Sequence, residues 1–208
     1  MAIIGFGVSP VQLVMTIAPP FVTCQDGDVK NFEFPCGDVS LDFLGTRQRR
    51  QDAKPTEFFT SPERVGAWFR EAGLTDEAVD FEGLDAALAL REAVYSLTRS
   101  RLDGSAFDVD ALDLVNATAA QTPITTTLTA SGRRIAAGPS QALSSIARDA
   151  ISILTAEHVV LKQCGNEGCT QIYVDHSRAG NRGWCSMEPC GNRIKARAYR
   201  ARKALQAA

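Results

Sequence analysis

Cys164-Gly165-Asn166-Glu167-Gly168-Cys169 and, after fifteen further residues, Cys185-Ser186-Met187-Glu188-Pro189-Cys190-Gly191-Asn192-Arg193 are the segments whose reading decides the C-terminal fold. Each holds a Cys-x4-Cys pair. Two close pairs separated by a loop give the donor set of a tetrahedral zinc site, each pair spanning one edge of the tetrahedron. Turn formers surround them: Gly165, Asn166 and Gly168 in the first pair, Pro189 and Gly191 around the second. Between the pairs, Gln171-Ile172-Tyr173-Val174 reads as a strand and Arg182-Gly183-Trp184 as its partner. That ribbon is too short to own a hydrophobic core. A metal supplies the missing stability, and such peptides gain roughly 10–16 kcal/mol from zinc at neutral pH.

Two rivals of the same residues weigh less. Disulfides need an oxidising compartment, and no secretory signal precedes the cysteines. Catalytic zinc needs an open coordination position, which four thiolates close. The expectation is one structural Zn²⁺ held by Cys164, Cys169, Cys185 and Cys190. His176 lies within the ribbon and is assigned a surface or supporting role. Cys24 and Cys36 stand far from the cluster and read as packing or incidental thiols.

Outward to the C-terminus, residues 192–205 contain neither Gly nor Pro and are rich in Ala and Arg, which are good helix formers. Ile194, Ala198, Ala201 and Leu205 fall on one helical stripe, with Arg193, Lys195, Arg197, Arg200, Arg202 and Lys203 around the rest. From Lys162 to the end, nine bases stand against three acids, a charge of +6, although the whole chain carries −2. The remainder is acidic. A basic helix fixed at its start by a metal ligand suits a polyanion, because each neutralised phosphate releases counterions. Arg178, Arg182 and Asn192 complete the candidate nucleic-acid contacts.

Outward to the N-terminus the pattern is helical. Ser61-Pro62-Glu63 has an N-cap, Pro at the first helical position and an acid in the first turn, and Gly73 supplies a stop. Thr75 opens another start signal. Leu84, Ala87, Leu88, Arg91, Val94, Tyr95 and Leu97 repeat at 3.6 residues and end at Asp103-Gly104. Asp108 caps a third helix. Residues 124–137 read as a hairpin with a Gly turn, and a helix returns over 140–155. The expected fold class is mainly α (α+β): a multihelical N-terminal domain with a small β-hairpin, plus a C-terminal four-cysteine zinc finger ending in a basic helix. The domains are expected at 1–30 (an extension), 31–158 and 159–208. No Gly-rich linker precedes Cys164, so body and finger are expected to pack together.

The uncharged stretch from Ala2 to Pro20 lacks a basic start and is broken by glycines and prolines, so it reads as neither a secretory signal nor a membrane span. The expectation is a cytoplasmic protein with no membrane partner and a loosely ordered or strand-like extension. The alternative is an atypical export signal or a misassigned start.

Cys190-Gly191-Asn192-Arg193, preceded by Trp184-Cys185-Ser186-Met187 and by Asp175-x-Ser177-Arg178, resembles the CGNR zinc finger. Leu41-Asp42-Phe43-Leu44-Gly45-Thr46 is similar to the LDF-x-N-T element opening the ABATE domain, which is usually fused to that finger in bacteria. Gly45 stands where that element generally has Asn. The resemblance covers about 34–203 and implies a bacterial transcription regulator: a helical domain suggested to sense a stress or metabolite, and a treble-clef-like or ribbon-like finger that binds DNA. By position, the four clustered cysteines are the ligands, Asn192 braces the knuckle, and Arg193 reaches a phosphate or a carboxylate.

The leading expectation is a DNA-binding transcriptional regulator, nucleoid-associated, with double-stranded DNA as partner and the body sensing a ligand or mediating homodimerisation. One alternative is an RNA-binding zinc module. The other is a small-molecule-binding protein whose finger is only structural, with Trp68, Phe69, Arg91 and Tyr95 as pocket candidates. No nucleophile elbow, zinc-protease helix or phosphate loop occurs, so no enzyme is expected. Asp38 and Asp42 read as turn and cap residues.

Overall fold

The computed structural model describes residues 32–77 and 83–206. The expected extension, with Cys24, lies outside the described residues, and the start signal at Thr75 runs into 78–82, which also lie outside them. Residues 31–208 form one compact unit.

The chain runs α1 (Val39–Leu44), β1 (Arg47–Gln48), β2 (Thr56–Glu57), α2 (Pro62–Glu71), α3 (Leu84–Asp103) and α4 (Val109–Ala119). It continues through β3 (Thr126–Thr129), β4 (Gly132–Ile135), α5 (Pro139–Thr155), β5 (Leu161–Gln163), β6 (Ile172–Val174) and α6 (Asn192–Gln206). The strands pair as three antiparallel two-stranded sheets: β1 with β2, β3 with β4, β5 with β6. The fold is mainly helical, as the patterning predicts.

Local chemistry sets the helix starts. Pro62 is the first residue of α2, where its missing N–H costs nothing. The Asp108 carboxylate accepts from the Ala111 N–H at 2.8 Å and caps α4. Helix α3 buries Ala87, Leu90, Arg91, Val94 and Leu97 on the predicted face. It packs with α4 and α5, while α1 touches α3, α5 and β6. Phe43, Phe59, Trp68 and Phe69 are fully buried in one aromatic cluster, with Trp68 centroids 5.4–6.0 Å from the other three. Each such pair adds about 0.5–1.5 kcal/mol beyond area burial.

One strand pairing differs from expectation. The partner of β6 is β5, in the register Leu161↔Val174, Lys162↔Tyr173 and Gln163↔Ile172, and 182–184 form no strand. The Cys164–Cys169 segment is therefore itself the turn of the hairpin. Residues 182–184 still lie alongside: the Gly165 N–H donates to the Gly183 carbonyl at 3.0 Å, and the Tyr173 hydroxyl to the Arg182 carbonyl at 2.6 Å.

Body and finger share one core, in which Cys164, Tyr173, Val174, Cys185 and Cys190 join the helical residues. Polar contacts tie the joint. The Gln171 amide donates to the Leu41 carbonyl at 2.7 Å and to the Ile172 carbonyl at 3.1 Å, and Cys36 Sγ donates to the same Ile172 carbonyl at 3.3 Å. Arg99 donates to Gln163 Oε1 at 2.7 Å. Gly45 faces this joint, and a Cβ there would stand 2.5 Å from Gln171 Oε1 and 3.1 Å from the Asp42 carbonyl. The glycine in the 41–46 element thus makes room for the finger's glutamine.

Candidate metal centre

The first cysteine pair stands on the β5–β6 turn. Cys164 follows β5 directly and its N–H donates to the Gln171 carbonyl at 2.9 Å; the Cys169 N–H closes the knuckle on the Asn166 carbonyl at 2.9 Å. Of the second pair, Cys185 precedes and Cys190 lies within a turn, Met187–Gly191, which is kinked at Glu188 (φ −116°, ψ 127°) and runs straight into α6. Gly191 is required by close approach: a Cβ there would meet Trp184 Nε1 at 2.9 Å and Met187 Sδ at 3.0 Å. The indole thus packs on the backbone of the turn holding the last ligand.

The four Sγ atoms all lie within 4.8 Å of one another, with Cys169 and Cys185 at 4.0 Å. Zinc–sulfur bonds of ~2.3 Å place tetrahedral sulfurs about 3.8 Å apart. The spacing fits. Mutual hydrogen bonding pulls the Cys164 thiol far below its ordinary value, chiefly through Cys169, and pushes Cys169 and Cys185 up, chiefly through Cys164. The three crowded sulfurs of Cys164, Cys169 and Cys185 thus oppose one another's ionisation, and a dication resolves the conflict by deprotonating coordinating thiols. Cys164 also accepts from the backbone N–H groups of Asn166 and Cys185, and Cys169 from that of Gln171. Asn166 Nδ2 stands 3.4 Å from Cys190 Sγ. The donor set fits one structural zinc, held by Cys164, Cys169, Cys185 and Cys190; when bound it would tie both cysteine pairs to the start of α6.

The amide beside the ligands is that of Asn166, whereas Asn192 is exposed and makes no side-chain hydrogen bond among the described residues. Asp175 stabilises the loop beyond β6. It accepts from Lys162 Nζ at 2.6 Å, from the Ser177 N–H at 2.9 Å and from the Arg182 N–H at 3.0 Å. Its carboxyl is held well below the usual range, first by Lys162. His176 is exposed and lies 3.6 Å from Asp38.

The predicted basic residues divide into two groups. Arg193, Lys195, Arg197, Arg200, Arg202 and Lys203 are all exposed on α6, and Arg178 is exposed on the loop. Lys195 lies 5.5 Å from the Trp184 ring centroid, and Arg197 is 3.3 Å from Glu167, an exposed pair. Arg182 is different. Its guanidinium stacks 4.4 Å from the Tyr173 centroid and donates to the Val174 carbonyl at 3.3 Å, so it is part of the finger's packing.

Of the body residues expected around a pocket, Trp68 borders a cavity of about 10 Å³ with Phe32 and Phe58. Trp68 and Phe69 are core side chains, and Tyr95 lies under Arg50, 4.0 Å from its centroid. Arg91 is 1% exposed and forms a two-pronged pair with Glu57 at 2.7 and 2.6 Å, plus contacts to Glu92 at 3.0 Å and Thr46 Oγ1 at 3.1 Å. Thr46 in turn donates to the Phe43 carbonyl at 2.7 Å, so Arg91 braces the 41–46 element. Sequence reasoning missed Gln171 and Asn166. The local signal for each was a polar residue two positions after a cysteine, Cys164 or Cys169.

Fold and site together define a zinc-finger protein: a helical body, four thiolates on two turns, and a basic helix starting at the last ligand. Comparison with protein families matches residues 37–157 to ABATE, "Putative stress-induced transcription regulator". It matches 161–203 to the CGNR zinc finger. The first match spans more than half of the chain, and the chain belongs to the ABATE family, joined to a CGNR finger; the family description supports a regulatory role. No curated protein matches the chain. Among the described residues no helix is long and apolar enough to cross a membrane.

Proposed function

We propose that this protein is a transcriptional regulator that binds double-stranded DNA through α6 and is not an enzyme. One observation carries the reading: six Arg and Lys side chains are exposed on a helix whose first turn follows the last zinc ligand, and among the described residues their contacts are one exposed ion pair, Arg197 with Glu167, and those of Lys195 with Trp184 and Met187. Fifteen residues at 1.5 Å each give a rod of about 22 Å. Such a rod suits the major groove, which is ~12 Å wide and admits an α-helix. The zinc centre anchors only the start of the rod, so its length is available to phosphates on both sides of a groove. The reading carries with it a bacterial, cytoplasmic, nucleoid-associated protein, acting as a dimer if its operator has paired half-sites.

The RNA alternative draws less support. Single-stranded RNA is usually gripped by stacking on aromatic side chains. Of the three aromatics in the finger, Tyr173 is buried, Trp184 packs against Gly191 and Lys195, and Tyr199 alone is widely exposed, at 60%. Competition between a duplex from the gene's own upstream region and RNA of the same sequence tests the proposal. The duplex is expected to displace the RNA, and removing zinc with a chelator is expected to abolish duplex binding. Preference for RNA, or duplex binding indifferent to zinc, overturns it.

A further inference from the structure

Two helix faces of this protein are left uncovered, and their charges are opposite. Helix α4 packs with α3 and α5 and buries Ala111, Val115 and Ala119. Its far side carries Val109, Asp113 and Ala117 along one line (i, i+4, i+8), with Asp110 and Leu114 beside it, all exposed. Val109 is 67% exposed, and Phe107, just before the helix, 38%. A lone exposed apolar residue needs no explanation, but Phe107, Val109 and Leu114 together form a patch of the kind that marks a contact surface. Asp110 and Asp113 form no ion pair among the described residues, and no Lys or Arg occurs between Arg101 and Arg133. The patch is acidic.

Helix α6 is the converse. It packs on the turn before it, and every residue from Lys195 to Ala204 is exposed. An apolar line of Ile194, Ala198 and Ala201 (i, i+4, i+7) runs along it between Arg197 and Arg202, and no acid follows Glu188. Phosphates do not engage an apolar line. At 15 residues the helix is also about as short as an isolated helix can be and stay formed in water.

Charge selects the occupant of each face. Two copies of α4 set face to face oppose their aspartates, and two copies of α6 oppose their arginines; such like-charge contacts exclude a partner. An α4 against an α6 instead pairs Asp110 and Asp113 with Arg197 and Arg202, and lays Val109 and Leu114 on Ala198 and Ala201. Within one chain both faces stay open, so the covering helix comes from a second copy. We infer that two copies of this protein associate by reciprocal exchange, α6 of each lying on the exposed face of α4 of the other. The exchange is self-complementary and closes on a two-fold axis.

The dimer has a regulatory consequence, which rests on the proposed DNA binding. Phosphates and the aspartates of α4 compete for the same guanidinium groups, so the dimer masks α6, unlike a pair of copies seated on adjacent half-sites. By linkage, whatever factor the duplex imposes on self-association, self-association imposes on duplex binding.

The test is sedimentation equilibrium on the zinc-loaded full chain. The parent is expected to dimerise at low ionic strength and to dissociate as salt rises, because exposed charges are screened within about 8 Å at ~0.15 M. Asp110→Arg/Asp113→Arg and Arg197→Asp/Arg202→Asp are each expected to weaken dimerisation about tenfold or more, with zinc content unchanged. Mixing the two variants is expected to restore it, because every mixed pair sets an acidic helix on a basic one at both contacts. A folding defect is not repaired by mixing. A parent that is monomeric at every salt concentration, variants that dimerise like the parent, or a mixture that stays monomeric overturns the inference. Adding a duplex of about one helical turn, roughly 10 base pairs, is expected to split the parent into DNA-bound monomers; a duplex held by the intact dimer overturns the masking. No duplex binding by parent or variants, with rescue by mixing intact, refutes the DNA reading alone.

Discussion

Gln171→Leu removes the amide that joins finger to body while keeping a side chain of similar volume. Its consequence follows from counting partners. Gln171 donates to the carbonyls of Leu41 and Ile172, at 2.7 and 3.1 Å. The Ile172 carbonyl keeps a second donor, Cys36 Sγ at 3.3 Å, so it remains satisfied. The Leu41 carbonyl belongs to a residue that is 1% exposed and loses its side-chain donor. The loss of that buried hydrogen bond costs about 1–3 kcal/mol. In a protein of this size, that lowers Tm by roughly 2–12 °C. The chain has two tryptophans, Trp68 in the aromatic core and Trp184 against the zinc turn, so single-tryptophan versions report body and finger separately. Urea unfolding of both reporters is expected to coincide in the parent. In Gln171→Leu the midpoints fall and separate, the Trp184 signal persisting longer because zinc holds the finger. Unchanged stability, or reporters that already separate in the parent, refutes the view that Gln171 helps make one folding unit.

Cys190→Ser removes the ligand adjoining α6; zinc content by elemental analysis is expected to fall well below one per chain, with loss of helical signal. Arg91→Met leaves Glu57 and Glu92 without their shared guanidinium. Because both carboxylates are about one-third exposed, the expected cost is about 3 kcal/mol, the lower end for breaking a buried pair, read by urea unfolding. Burial pushes the Asp42 carboxyl up to about 6 from 3.8, against the hydrogen bonds from the Cys36 and Gly37 N–H groups. Its folded value lies above its unfolded one, so the folded form binds the extra proton and this residue's contribution to stability declines as pH rises from about 4 to 6. A carbon-detected NMR titration is expected to place the Asp42 midpoint near 6, and a midpoint near 4 contradicts the burial.

What was legible in the sequence had local causes. Two Cys-x4-Cys pairs state a donor set and its spacing without any fold, and an Ala- and Arg-rich run free of Gly and Pro states a helix. The caps at Ser61-Pro62 and Asp108 and the period of α3 are equally local. The finger's strand pairing was not legible, because Leu161-Lys162-Gln163 shows no alternation of apolar and polar residues. Hairpin register there is set by the cysteine knuckle that forms its turn. The sequence offers Arg91 and Tyr95 as pocket candidates, yet Arg91 answers to Glu57, 34 positions away in the chain, across a contact only the fold creates. A charged residue on an apolar stripe was nevertheless a signal of a buried pair. Gly45, Cys36 and Gln171 belong together for the same reason. Their relation spans about 130 residues and exists only at the joint between body and finger.

The central claim is that the zinc centre presents α6 to DNA phosphates. Its most direct measurement is duplex affinity across a salt series for the zinc-loaded parent and for Arg197→Ala/Arg200→Ala. Each phosphate contact contributes a slope of about −0.9 in log K against log salt. The account predicts tight binding by the parent and a slope shallower by roughly 1.8 in the double variant, with zinc content unchanged. An identical slope and affinity in the two proteins would contradict it.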